Sequence, residues 1–232
     1  MTIQLITFDL DNTLWDVQRV IGNAERAMRG WLQAHVPEVV AFYENDGVGA
    51  VREALLTAQP ELRHDLSKLR VEVVTRSIQE VGRSDEDARQ LAAQAFEVFY
   101  EGRHQVEYYE HALNTLALLS DSYTLAALTN GNADIDKLGL DRYFAFGYTA
   151  AQVGASKPAP DMFHAALEKA EVDAHRAVHV GDHPEDDIAG ASNVGMHTIW
   201  VDMHGLEVGS VTPSTVIRSL DELPRAVRGL SA

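Results

Sequence analysis

Two kinds of apolar pattern divide the chain. Short apolar runs bounded by turn residues read as buried parallel strands at Ile3–Phe8, Tyr123–Leu128, about Phe144–Tyr148, Ala177–Val180 and Thr198–Val201. Helical spacing separates the last four. Ala112, Leu116 and Leu119 recur at i, i+4, i+7 before the second strand. Phe163, Ala166, Leu167 and Ala170 follow the third, with Pro160 suited to a first helical position. Another helix is expected between Gly181 and Gly195, and a last one after a capping-box pattern of Ser219 and Glu222, stopped by Gly229. Strand–helix alternation implies right-handed crossovers and a parallel sheet covered on both faces.

Residues 17–104 carry almost no strand signal. Ala27, Met28, Trp31 and Leu32 form one helical stripe, and Val71, Val74, Ile78 and Val81 another. Ser84 with Asp87 reads as a cap before Leu91, Ala95 and Phe99. The pattern predicts about four helices inserted after the first strand, over the C-terminal edge of the sheet. The core is then residues 1–16 with 105–232. "GVGAV" at Gly47 lacks a third glycine and follows no strand, so it reads as a loop between helices with no dinucleotide role.

Composition narrows the function. The 232 residues carry a formal charge of −16, which argues against nucleic acid and anionic lipid as partners. With no cysteine, disulfides and thiolate metal sites are out. No apolar stretch has membrane-spanning length, and the N-terminus lacks a signal-peptide pattern, so a cytoplasmic location is expected. The sequence leaves monomer and homodimer both open.

Ligands of open α/β sheets bind at the C-terminal ends of the strands. The first strand ends on Asp9 and Asp11, the second on Thr129 and Asn130. "SKPAP", with Lys157, follows the third, and "GDHPEDD", with Asp182, Asp186 and Asp187, ends the fourth. Several carboxylates, one lysine and hydroxyl or amide donors suit a hard divalent cation such as Mg²⁺ and an anionic substrate.

In this order, "DLDNT", "LTN", "SKP" and "GDHPEDD" resemble the motifs of the haloacid dehalogenase superfamily. The resemblance implies a Rossmann-like parallel sheet with an inserted all-helical cap. It implies Asp9 as nucleophile, forming an aspartyl-phosphate, and Asp11 as general acid and then base. Thr129, the Asn130 backbone N–H and Lys157 would hold the phosphoryl oxygens. Mg²⁺ would be held by Asp9, the Asp11 carbonyl and Asp182. Asp187 would be the second acid, acting through water or Lys157, with Thr13 behind the first motif. Asp186 is expected only to favour a helix N-terminus.

The dehalogenase branch lacks an acid at the position of Asp11, since halide leaves without a proton. Asp11 therefore favours a phosphatase acting on a small phosphorylated metabolite over a 2-haloacid dehalogenase, with phosphomutase as the nearer alternative. More narrowly, "ITFDLDNTLWD", "ALTNGN" and "HVGDHPEDDIAGA" resemble bacterial flavin mononucleotide (FMN) phosphatases, which also act on the ribitylaminouracil phosphate of riboflavin biosynthesis. Pyrimidine nucleotidases and N-acylneuraminate phosphatases share the same core motifs.

Other readings are weaker. A calcium loop at "DLDNT" fails, because its sixth position is Leu14 and its twelfth Val20. His179 is expected to be a core histidine pointing away from the site, and His183 to lie behind it. Trp15, Asp16 and Arg19 leave the first strand and are candidates for touching substrate, with a hinge or cap-core role slightly preferred for them.

Overall fold

The computed structural model describes residues 2–44, 47–203 and 211–230. It divides into two compact units, one of Met1–Asp16 with Val106–Ala232 and the other of Val17–Gln105.

The first unit is built on a six-stranded parallel sheet. Its strands are β1 (Leu5–Phe8), β2 (Thr124–Thr129), β3 (Phe146–Thr149), β4 (Ala177–Gly181), β5 (His197–Val201) and β6 (Thr215–Ile217). Their spatial order is β3-β2-β1-β4-β5-β6. The chain therefore steps outward from β1 on one side, then returns to lay β4 on the other. β1 and β4 meet at the point where strand order reverses, which is where such sheets bind ligands. The register pairs Phe8 with Ala127 on one side and Val180 on the other, so the strand ends lie level. β1 is buried throughout, as a run covered on both faces must be.

The sequence patterns differ from this sheet at its far edge. β6 has a mixed, part-exposed pattern over three residues, too short for periodicity to signal. The C-terminal capping box does not form. Ser219 makes no cap hydrogen bond to the backbone, and its hydroxyl instead faces Asp221. Glu222 accepts from the backbone of Arg218 instead. The last helix runs through Gly229 to Leu230.

In the second unit the described residues form five α-helices, rather than about four, and a 3-10 turn at Pro60–His64. The α-helices are α1 (Val17–His35), α2 (Pro37–Glu44), α3 (Gly47–Ala58), α4 (Leu66–Glu80) and α5 (Asp85–Arg103). Gly47 opens α3, so the expected loop there is helix. Without a cap pattern or a full stripe, α3 gives little periodic signal. α1 buries Val20, Ala24, Met28 and Leu32, a strict i, i+4 stripe that leaves Ala27 exposed. α4 and α5 complete this core with Val74, Ile78, Ala88, Ala92, Ala95 and Phe99. Ser84 does cap α5, accepting from the Asp87 N–H at 3.2 Å. Among the described residues no helix is long and apolar enough to cross a membrane.

Candidate active site

The turn after β1 places the first two carboxylates apart. Asp9 continues the ladder, its N–H donating to Val180 C=O at 2.8 Å. At Leu10 the chain turns, and the Leu10 carbonyl accepts from Thr13 and Leu14. Asn12 holds the turn with φ at 59°. Asparagine is among the few L-residues that adopt this left-handed conformation readily.

Asp9 is almost wholly buried and ion-pairs with Lys157, Nζ to Oδ1 at 2.8 Å. Lys157 is equally buried. Its ammonium also donates to Asp187 Oδ1 at 2.6 Å and to the Leu128 carbonyl at 2.7 Å, which uses all three of its hydrogens. Asp187 takes two further donors. The His183 N–H reaches Oδ2 at 3.0 Å, and His179 Nε2 lies 3.1 Å from Oδ1. Thr7, paired with His179 across β1 and β4, brings its hydroxyl within 2.7 Å of Nδ1. Burial lowers the basicity of His179, so it is neutral. Nε2 then carries its proton and donates to Asp187, while Nδ1 accepts from Thr7. His179 therefore faces the site, contrary to the expectation that it points away. The reason is the fold-back of the segment Pro184–Ala189, which returns Asp187 beneath the end of β4. That return needs Gly181, because a Cβ there would lie 2.3 Å from Asp187.

Asp182 ends β4 beside Asp9, and Trp200 Nε1 donates to its carbonyl at 2.8 Å. Thr13 makes long contacts from its hydroxyl to Asp9, 3.4 Å, and to Asp182, 3.5 Å. Asp9, Asp182 and Asp187 bring carboxylate oxygens within 4.8 Å of one another, among groups dense enough to hold a cation. The electrostatics fit that use. Burial raises Asp9 well above the ordinary carboxylate range, and the charges of Asp187 and Asp182 add to the rise, against the pull of Lys157. Burial, then Asp187, pushes Asp182 up to about 6. Burial opposes ionisation of Asp187 too, but Lys157 and His179 outweigh it and hold Asp187 well below the usual range. Burial likewise disfavours the charged Lys157, yet Asp187 and Asp9 together hold it above an ordinary lysine. The one ammonium thus bonds two of the three carboxylates, Asp9 and Asp187, and Asp9 and Asp182 are the ones driven towards neutrality. A divalent cation between oxygen donors relieves that strain, so the residues present fit one.

The other strand ends supply hydrogen-bonding groups. Thr129 is buried and its oxygen accepts from the Gly131 N–H at 2.9 Å, which leaves its own O–H as a donor. The Asn130 side chain clamps the lysine loop, accepting from the Lys157 N–H at 2.7 Å and donating to the Lys157 carbonyl at 3.0 Å. It also donates to Asp186 at 3.2 Å, so Asp186 does more than favour a helix start. Asp187, not Asp186, reaches Lys157.

The model for haloacid dehalogenase-like hydrolases matches residues 3–195 of this chain. The chain belongs to that family. This hydrolase is 35% identical over 199 residues to the 5-amino-6-(5-phospho-D-ribitylamino)uracil phosphatase YigB of Escherichia coli (strain K12), across 86% of this chain and 83% of that one. A phosphoserine phosphatase of Thermus thermophilus is 34% identical over 139 residues, 57% of this chain and 54% of that one. A solved structure described as a 2-haloacid dehalogenase from Pseudomonas syringae pv. Tomato DC3000 superposes with a TM-score of 0.93 at 42% identity, covering 98% of this hydrolase and 99% of that chain.

The remaining candidates of the hydrolase fall differently. Trp15 is fully buried, with its indole on Asp11 and Tyr108, so it is not a surface that substrate touches. Asp16 is exposed beside Tyr109, whose phenol is pushed up by burial and by the charges of Asp16 and Asp182. Arg19 is exposed on the first turn of α1, in the second unit. Tyr109 was not among the residues singled out by sequence, and Asn130 was singled out as a phosphate contact, not for the clamp its side chain makes on the lysine loop. Tyr109 stands far from any strand end in the pattern, and an Asn after a strand reads as a turn residue.

Proposed function

We propose that the protein is a Mg²⁺-dependent phosphatase that hydrolyses a small-molecule phosphate monoester through an aspartyl-phosphate on Asp9. The observation that carries the reading is the difference between its two first-motif carboxylates. Asp9 is buried against the Lys157 ammonium, whereas Asp11 is part-exposed and held by an indole N–H.

In this reading an Asp9 oxygen attacks phosphorus, the ester P–O bond breaks, and Asp11 gives its proton to the departing alcohol oxygen. Asp11 then takes a proton from water, the water oxygen attacks phosphorus, and phosphate leaves with the Asp9 carboxylate restored. Thr129, the Asn130 N–H and Lys157 carry the charge on the phosphoryl oxygens. Asp9, Asp182 and the Asp11 carbonyl would hold Mg²⁺, which when bound supplies positive charge for the carboxylates and the phosphoryl group. Asp187 orients Lys157. Val17–Gln105 would act as the cap that selects substrate.

The likeness to YigB supports 5-amino-6-(5-phospho-D-ribitylamino)uracil as the substrate, and the motif resemblance to FMN phosphatases adds FMN, with a place in riboflavin biosynthesis and a cytoplasmic location as part of the same reading. A second reading, 2-haloacid dehalogenase, has the Pseudomonas syringae structure in its favour. Asp11 speaks against it, since halide needs no acid to leave. Phosphate release from FMN and from the ribitylaminouracil phosphate, with and without Mg²⁺, set beside chloride release from 2-chloropropionate, tests the two together. Phosphate release that Asp9→Asn abolishes is the expected result. Chloride release without phosphate release would overturn the phosphatase reading.

A further inference from the structure

Trp15 has no part in the chemistry above, yet it is one of the largest fully buried side chains in the protein. Its indole Nε1–H donates to Asp11 Oδ1 at 2.9 Å. The ring is fixed from several directions. Tyr108 meets it edge to face, with ring centroids 5.8 Å apart at 79°, and the Tyr108 hydroxyl is itself tied to the Leu138 carbonyl. The Trp15 carbonyl accepts from the Asn12 N–H at 2.8 Å, closing the turn that carries Asp11. The Tyr109 N–H donates to the Leu14 carbonyl at 2.8 Å, which pins the same turn to the segment beyond.

An indole N–H only donates. It therefore occupies a lone pair of Oδ1 whatever the state of the carboxyl, and the proton that Asp11 carries belongs on Oδ2. We propose that Trp15 is a positioning residue for proton transfer: its rigid N–H fixes the rotation of the Asp11 carboxyl so that Oδ2 meets the leaving-group oxygen. This rests on the reading of Asp11 as the general acid. It adds a residue that acts on orientation alone.

The readout is the dependence on leaving group. An alkyl phosphate such as FMN expels an alkoxide that needs a proton, whereas p-nitrophenyl phosphate expels a stabilised anion that does not. kcat/KM reports phosphoryl transfer to Asp9 and leaves out the later hydrolysis common to both substrates. Trp15→Phe keeps a ring but removes the N–H. It should lower kcat/KM for FMN by about tenfold or more, within the range that misplacing a general acid costs, and leave p-nitrophenyl phosphate within about twofold. Asp11→Asn, assayed in parallel, should show the same selectivity more strongly. Equal loss on both substrates, or no loss on either, in Trp15→Phe would overturn the positioning role while a selective Asp11→Asn leaves the acid role standing. A non-selective Asp11→Asn would overturn the acid role, and the proposal with it. Turnover of p-nitrophenyl phosphate and the thermal midpoint report whether Trp15→Phe is folded. If it is not, benzothienylalanine placed at position 15 keeps the indole shape, replaces the N–H by sulfur, and must give the same selective loss.

Discussion

Mg²⁺ binding should be linked to protons, and the carboxylate cluster sets the size of the linkage. Burial, then Asp187, raises Asp182 from 3.8 to about 6. A cation requires the ionised carboxylate. Below pH 6 it must therefore displace a proton, and the apparent dissociation constant grows by a factor of one plus ten to the power of pKa minus pH. For Asp182 alone that makes Mg²⁺ bind about elevenfold more weakly at pH 5 than at pH 8. Asp9, raised by burial and by the neighbouring carboxylates, adds in the same direction. The sign for stability follows. The metal-free folded protein binds more protons than the unfolded chain between about pH 4 and 6, so its stability falls as pH rises through that window. A change from 3.8 to about 6 corresponds to about 3 kcal/mol at 1.36 kcal/mol per pH unit. Asp187 does not blur the effect. Its value lies below the usual range, so the stability it adds is present above about pH 4 and lost only in stronger acid.

Calorimetric titration with MgCl2 at pH 5, 6, 7 and 8, in two buffers of different ionisation enthalpy, measures affinity and proton release together. Asp182 alone should release about one proton per Mg²⁺ at pH 5 and almost none at pH 8, and any release from Asp9 adds to that count. Thermal midpoints should rise with Mg²⁺ more at pH 8 than at pH 5. Affinity that does not change with pH, with no proton released at pH 5, would refute the reasoning. Unchanged binding in Asp182→Asn would remove Asp182 from the cation site.

Three further outcomes follow from the same geometry. Lys157→Met leaves Asp9 and Asp187 buried without their ammonium; it should abolish turnover and cost about 3–5 kcal/mol, read as a thermal midpoint about 6–20 °C lower. Gly181→Ala puts a Cβ 2.3 Å from Asp187, so Asp187 must leave Lys157; turnover should fall by about tenfold or more in steady-state assays, while Gly30→Ala, at an exposed position of α1 with open space around it, should leave turnover unchanged. Asn12→Val forces a β-branched residue to φ 59° and should destabilise by about 1–3 kcal/mol in urea unfolding, whereas Asn12→Gly should be close to neutral.

What was legible in the sequence, and what was not, follows from what an apolar pattern encodes. A buried parallel strand must be apolar along its length, so the first polar residue beyond it marks the sheet's edge. Asp9, Thr129 and Asp182 were visible for that reason, and the structure sets Asp9 and Asp182 level at the switch point. Periodicity is silent about polar residues inside a strand. Thr7 and His179 read as core, and they are buried, but their pairing across β1 and β4 points a hydrogen bond at Asp187. No pattern along either strand holds that information, because the partner arrives by a fold-back that depends on an absent Cβ at Gly181. Trp15 is the sharpest case. Four residues after Asp11, an indole reads as a hinge or cap-core residue or a substrate contact, and the left-handed turn at Asn12 brings the pair towards each other. The parts of the site that sequence exposes are those that must meet solvent and ligand. The parts it hides are apolar or neutral side chains, and they set the angle at which the visible carboxylates act.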